Sequence, residues 1–154
     1  MNSKTRIRPE RADDAVAIHD VLVAAFHGIS HAAGDEAEIV EALRVRNALT
    51  VSLVAESRGT VVGQIAFSPA RLASGVTGWS ALGPVAVHPD HQRRGIGSRL
   101  VHEGLEAIYA LGTAGCILTG DPNFFSRFGF EKAPRNLPSD EPSALFMVKV
   151  FRRP

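Results

Sequence analysis

The sequence predicts a mixed α/β domain, a three-layer α-β-α sandwich, and three observations carry that reading. Helical and strand-like patterns follow one another in the order β-α-α-β-β-β-α-β-α-β along 154 residues. Between Leu82 and Leu118 a strand, a helix that starts at glycines and a second strand come in succession, as a right-handed parallel crossover requires. No repeat, low-complexity tract or linker interrupts the chain. Residues 1–154 therefore read as one domain, long enough to bury about two-thirds of its unfolded surface.

Thr5 to Arg8 is a short strand stopped by Pro9. Asp13 or Asp14 then caps a helix reaching Phe26, with Ile18, Val21, Leu22, Ala25 and Phe26 on one face. The loop HGISHAAGD leads to a second helix, capped by Asp35 and carrying Ile39, Val40 and Leu43 before it fades near Asn47. Val51 to Glu56 and Val61 to Phe67 are strands joined by the hairpin turn SRGT. After the loop RLASGVTGWS, the strand Leu82 to Val87 ends at His88 and Pro89. The central helix runs from Gly95 to about Leu111 and buries Ile96, Leu100, Val101, Leu105 and Ile108. Cys116 to Leu118 is a short buried strand. Asp121 caps the short helix NFFSRF, closed by Gly129, and Leu145 to Phe151 is the last strand.

Bulk composition excludes several function classes. Hydrophobic residues at 45% and charged residues at 21% describe an ordinary globular chain. A net charge of +1 offers no global attraction to nucleic acid or to a membrane surface, so neither is expected as a partner. No apolar run approaches the roughly 20 residues of a membrane helix. The opening MNSKTRIRPERADDA lacks the apolar core of a signal peptide. Cys116 is the only cysteine. No internal disulfide can form, and the expected compartment is a reducing cytoplasm.

The chemistry concentrates in HPDHQRRGIGSRL, His88 to Leu100. Glycine is a poor helix residue and adjacent arginines repel, so a partner from outside the chain should compensate for both. A loop that leaves a strand and turns into a helix presents first-turn N–H groups with no acceptor inside the helix. Gly95 and Gly97 let that backbone approach a ligand closely. Arg93, Arg94 and the helix dipole add positive potential, which makes an anion site suited to a pyrophosphate. A P-loop is excluded because GxxxxGK[ST] needs a lysine that this stretch lacks. A dinucleotide fingerprint is excluded too: the pattern is GxG only, it follows the third or fourth strand, and Glu106 is the lone acid in Leu105 to Thr113.

LGPVAVHPDHQRRGIGSRLV resembles the acetyl-coenzyme-A signature, Q/R-x-x-G-x-G/A, of the GNAT superfamily of N-acetyltransferases, and GDPNFFSRFGF resembles that family's later F-Y-x-x-x-G-F helix. Residues 5 to 151 fit the GNAT order of elements. LTGDPNFFSRFGF is similar to the bacterial YhbS-type branch. The resemblance implies a GNAT-type acyl-CoA N-acyltransferase fold that uses acetyl-CoA as co-substrate, with no metal. Backbone N–H groups of Arg93, Arg94, Gly95, Ile96, Gly97 and Ser98, with Gln92 beside them, are then expected to hold the pyrophosphate. Val85, Ala86 and Val87 are expected to pair with the pantetheine arm as an added strand. Asn123 and the aromatic pair Phe124 and Phe125 are expected to form the opposite wall, with Phe128 and Phe130 in the core.

The pattern departs from the family at Phe125, where many members carry a tyrosine that protonates the leaving thiolate. A phenyl ring donates no proton, and a thiolate of pKa about 8.5 can take one from water. Ser126 and Cys116 are weak substitutes, and Tyr109 sits on the central helix. An amine of pKa about 10.4 must lose a proton before it attacks. His88, His27 and His31 are candidates for that base, whereas Asp35 and Glu36 suit helix capping. The backbone N–H of Val87 is the expected oxyanion donor. The expected reaction is direct acetyl transfer to a primary amine, on a small molecule or a peptide, in a ternary complex. The alternative is a non-catalytic acyl-CoA sensor or interaction module on the same fold. The acceptor is expected to be set by His27 to Gly34 and Arg71 to Trp79. The resemblance allows a homodimer, on which the sequence is silent.

Overall fold

The computed structural model describes residues 4–29, 34–72, 75–132 and 146–151. Its strands are β1 (Thr5–Pro9), β2 (Val51–Ser57), β3 (Thr60–Ala70), β4 (Trp79–Val87), β5 (Gly115–Thr119), β6 (Glu131–Lys132) and β7 (Phe146–Val150). They form one sheet in the order β1-β2-β3-β4-β5-β7-β6. The helices are α1 (Ala15–Phe26), α2 (Glu36–Val45), α3 (Ile96–Ala110) and the short α4 (Pro122–Phe125). On one face Ile18, Val21 and Leu22 of α1 and Val40 of α2 pack on Val54, Ala66 and Ala86. On the other, Ile96, Leu100, Val101, Leu105 and Ile108 of α3 pack on Ile65, Phe67, Leu82 and Cys116. Each of the buried Val, Leu, Ile and Phe side chains contributes about 1.5–3 kcal/mol by leaving water, and the alanines less. The expected three layers and the expected core face of α3 are both present.

Local differences have local causes. β1 runs through Pro9, because an edge strand tolerates a residue without an N–H. Ile39 is 44% exposed, since the face that meets α1 is Ala37, Val40 and Leu43, about 100° round the helix from it. Neither Asp14 nor Asp35 caps with its side chain. Asp14 instead accepts from the Arg8 guanidinium at 2.8 and 3.1 Å and from the Arg11 N–H at 2.7 Å. The SRGT turn has the two positive φ angles of a tight hairpin, at Arg58 and Gly59. β6 is only two residues long and leaves no periodic trace.

One strand positions the site. β4 pairs antiparallel with β3 along its length but runs parallel with β5 only from Trp79 to Ala81. Directly beyond, Phe67 faces Leu82 and Ile65 faces Val85, so β4 spends one more residue than β3 on this step. That bulge, at Gly83 and Pro84, bends β4. Among the described residues no strand pairs the β5-side edge of β4 past Ala81.

Candidate active site

The backbone of β4 alternates between its two neighbours. The His88 N–H donates to the Val62 carbonyl at 2.8 Å, which turns the peptide of Ala86, two residues back, toward β3 as well. The Ala86 carbonyl accordingly lies 3.1 Å from the Cβ position of Gly63. Val85 and Val87 therefore turn their peptides to the gap between β4 and β5. Gln92 reaches back to this edge, its Nε2 donating to the Val87 carbonyl at 2.9 Å.

The chain then makes a short turn, Pro89–His91, held by His88, whose Nδ1 accepts from the Asp90 N–H at 3.1 Å. Positive φ at Arg93 (64°) and Gly95 (81°) swings the backbone into α3. No side chain caps α3 and no acid lies in its first turn. The Arg99 N–H is the first to find an acceptor within the helix, the Gly95 carbonyl at 3.1 Å. The N–H groups of Ile96, Gly97 and Ser98 thus stand at the positive end of a 15-residue helix. By contrast, α4 satisfies its own start, with Asp121 accepting from the Asn123 N–H at 3.0 Å.

A pocket of about 320 Å³ opens in front of these amides. Val87, His91, Gln92, Arg93 and Gly95 to Ser98 line one side, and Phe124 and Arg127 line the other. Arg127 stacks over the Phe124 ring at 4.9 Å and donates to Ser98 Oγ at 3.2 Å, so it ties the two walls together. The Nδ1 of His91 is buried without a hydrogen-bond partner among the described residues.

The structure gathers most, but not all, of the expected residues. Val87, Gln92, Arg93, Gly95, Ile96, Gly97 and Ser98 line this one pocket, and Val85 faces the gap that leads from it. Ala86 is turned the other way, its peptide toward β3 and its side chain into the α1 face. Arg94 and Asn123 are exposed and outside the lining. Of the aromatic pair, Phe124 lines the pocket. Phe125 is 7% exposed and packs in the core, edge-on to Phe130 and in close contact with Gly120. Phe128 and Phe130 are core residues, as expected.

The candidates for proton transfer do not converge on the pocket. His88 is not in the pocket lining, and its Nδ1 accepts from the Asp90 N–H at 3.1 Å. Ser126 is exposed on the turn after α4, outside the pocket lining. Burial pushes the Cys116 thiol up to about 12, so it supplies neither a thiolate nucleophile nor a ready acid. Tyr109 packs edge-on to Phe151, away from this end of α3. His27 borders a separate cavity between α1 and α2, and His31 lies outside the described residues. Arg127 and His91 were not anticipated. The signal for Arg127 was its spacing of three from Phe124, which puts both on one face of a helical turn.

Comparison with known proteins agrees with this geometry. Residues 49–132 match the family model of the acetyltransferase (GNAT) domain. This chain belongs to the GNAT acetyltransferases. YhbS of Escherichia coli K12, an uncharacterised N-acetyltransferase, is 37% identical over 128 residues, which cover 82% of this chain and 74% of YhbS. A GNAT acetyltransferase from Brucella melitensis, crystallised with acetyl-CoA, superposes with a TM-score of 0.85 at 42% identity, covering 97% of this chain and 89% of that one. E. coli YhbS in complex with CoA gives 0.80 at 31% identity, covering 96% and 81%. Among the described residues no helix is long and apolar enough to cross a membrane.

Proposed function

We propose that this chain is an acetyl-CoA-dependent N-acetyltransferase that moves an acetyl group directly to a primary amine. One observation carries the reading: the open edge of β4 leads straight to the uncapped start of α3. An extended arm that ends in a pyrophosphate fits this pair of features. The residues pass a steric test as well, because a Cβ at Gly97 would meet nothing nearer than Val87 Cγ2 at 3.8 Å. Packing within the protein does not demand a glycine there, whereas close approach of a phosphate does.

Acetyl-CoA supplies the activated acyl group and the thiol leaving group. The N–H groups of Ile96, Gly97 and Ser98, with Arg93, hold its pyrophosphate. Val85 and Val87 pair with the arm, while Ala86 serves the sheet. Val87 packs against Gly97 at the phosphate end, and the arm runs from there back along β4 at about 3.3 Å per residue. Val85 therefore replaces Val87 as oxyanion donor: it is the last amide facing the gap before Pro84, which has none. The amine forms its bond to the carbonyl carbon, the C–S bond breaks, and the amine proton leaves to solvent or the departing thiolate. The cavity between α1 and α2, about 270 Å³ and lined in part by Phe26, His27, Ile29 and Glu36, borders the His27 to Gly34 loop that is expected to help set the acceptor.

The test combines calorimetry with thiol release over a panel of small and peptide amines. Acetyl-CoA should bind and raise the melting temperature by mass action, with turnover on at least one amine. Stronger stabilisation by ATP or NAD overturns the reading. Binding without turnover on any amine favours the non-catalytic acyl-CoA sensor.

A further inference from the structure

Arg127 is the one cation on the far wall of the pocket whose position is fixed by several contacts. Its guanidinium lies 4.9 Å from the Phe124 ring centre and 5.6 Å from that of Phe128. Nε donates to the Phe124 carbonyl at 3.4 Å and an Nη reaches Ser98 Oγ at 3.2 Å. Ser98 is the third residue of α3, among the amides that have no acceptor. A cation fixed beside the positive end of a helix is electrostatically uncomfortable in the free protein. Among the described residues its polar partners are a neutral hydroxyl and a neutral carbonyl, and no carboxylate is in the pocket lining. Across the pocket, the buried Nδ1 of His91 has no hydrogen-bond partner among the described residues. Two polar side chains on opposite walls are thus left for a ligand that carries negative charge.

We infer that Arg127 is a cofactor-specificity residue that pairs with a phosphate group of coenzyme A, exchanging the Ser98 hydroxyl for a phosphate oxygen. The inference rests on the cofactor reading above. A guanidinium offers a planar fork of donors suited to phosphate, and stacking on two rings lowers the entropy lost in using it. The exchange leaves α4 joined to α3 through the ligand as well as through the protein. Both side chains are exposed, but Arg127 lines the pocket and Arg94 does not, so Arg127 is expected to contribute more to cofactor affinity.

The experiment measures binding of CoA and of dephospho-CoA, which lacks the 3′-phosphate, to wild type, Arg127→Gln, Arg127→Lys and Arg94→Gln, at low and high salt. Melting temperatures without ligand report folding separately. Arg127→Gln should weaken CoA by about tenfold, Arg127→Lys by less, and Arg94→Gln by no more than a few-fold. A loss confined to CoA assigns the 3′-phosphate; an equal loss for both ligands assigns the pyrophosphate. In either case the loss should shrink at high salt. If Arg127→Gln binds both ligands as wild type does, Arg127 only braces α4 and the inference is wrong. A loss matched by Arg94→Gln overturns it too, because the effect is then general charge. Failure of wild type to bind CoA would overturn the cofactor reading instead, which keeps the two failures distinct.

Discussion

Two glycines of α3, Gly97 and Gly104, stand two helical turns apart and exist for opposite reasons. A Cβ at Gly104 would lie 2.4 Å from Phe67 Cε1, so the glycine is demanded by the protein's own packing against β3. A Cβ at Gly97 would make only an ordinary contact, 3.8 Å from Val87. The same contrast holds for polar groups. Under β1 the Arg8 guanidinium meets Asp14 and Glu56, and Glu10 is gripped by Arg44 and Ser52. At the start of α3, three amides face a pocket without a capping side chain. Under β1 the chain pairs these charges internally. At the start of α3 it leaves the amides open.

The largest effect expected on the folding side is at Phe125. If it is core rather than pocket wall, Phe125→Ala should cost about 3–5 kcal/mol in urea unfolding. Acetyl-CoA affinity of the folded fraction should stay within a few-fold. Lost affinity with unchanged stability would return Phe125 to the site. Gly104→Val should come next, at about 3 kcal/mol by forcing Phe67 aside, again with little direct effect on binding. An equal loss of stability from Gly97→Val would erase the contrast between the two glycines.

A smaller effect belongs to the ion pairs. Hydrogen bonds from Arg8, opposed by burial, hold the Asp14 carboxyl below its ordinary range. Burial tends to raise Glu10, but hydrogen bonds from Arg44 and Ser52 outweigh it and the carboxyl is lowered. A depressed carboxyl stabilises fully above its unfolded pKa of about 4, and this is lost as pH falls through the folded value. Asp14→Asn should therefore cost about 1–2 kcal/mol at pH 7. It should cost progressively less as pH drops below about 4. A cost independent of pH would show that Asp14 acts through shape alone.

Much of this division could be read before the structure. The spacing of Ile96, Leu100, Val101, Leu105 and Ile108 fixed the buried face of α3, because burial imposes a 3.6-residue period. The glycines after His88 marked an anion site, although Gly95 also supplies the positive φ with which the chain enters α3. What escaped were features set by the partner strand or by tertiary contact. The bulge at Gly83–Pro84 shows only in the register with β3, and it was the register that turned Ala86 away from the gap. Phe124 and Phe125 are chemically identical neighbours, and only packing decides which one faces the ligand. Arg127 was passed over because its partner Ser98 lies far away in sequence.

The central claim, that the start of α3 is built for a ligand rather than for the fold, is tested most directly by measuring acetyl-CoA binding and urea unfolding of Gly97→Val on one preparation. Glycine and valine differ by only a few tenths of a kcal/mol in helix propensity, and the site has room for a Cβ. Stability should therefore hold within about 0.5 kcal/mol of wild type. Affinity should fall by at least about tenfold, or 1.4 kcal/mol. Normal binding with lost stability would contradict the claim and make Gly97 a packing residue like Gly104.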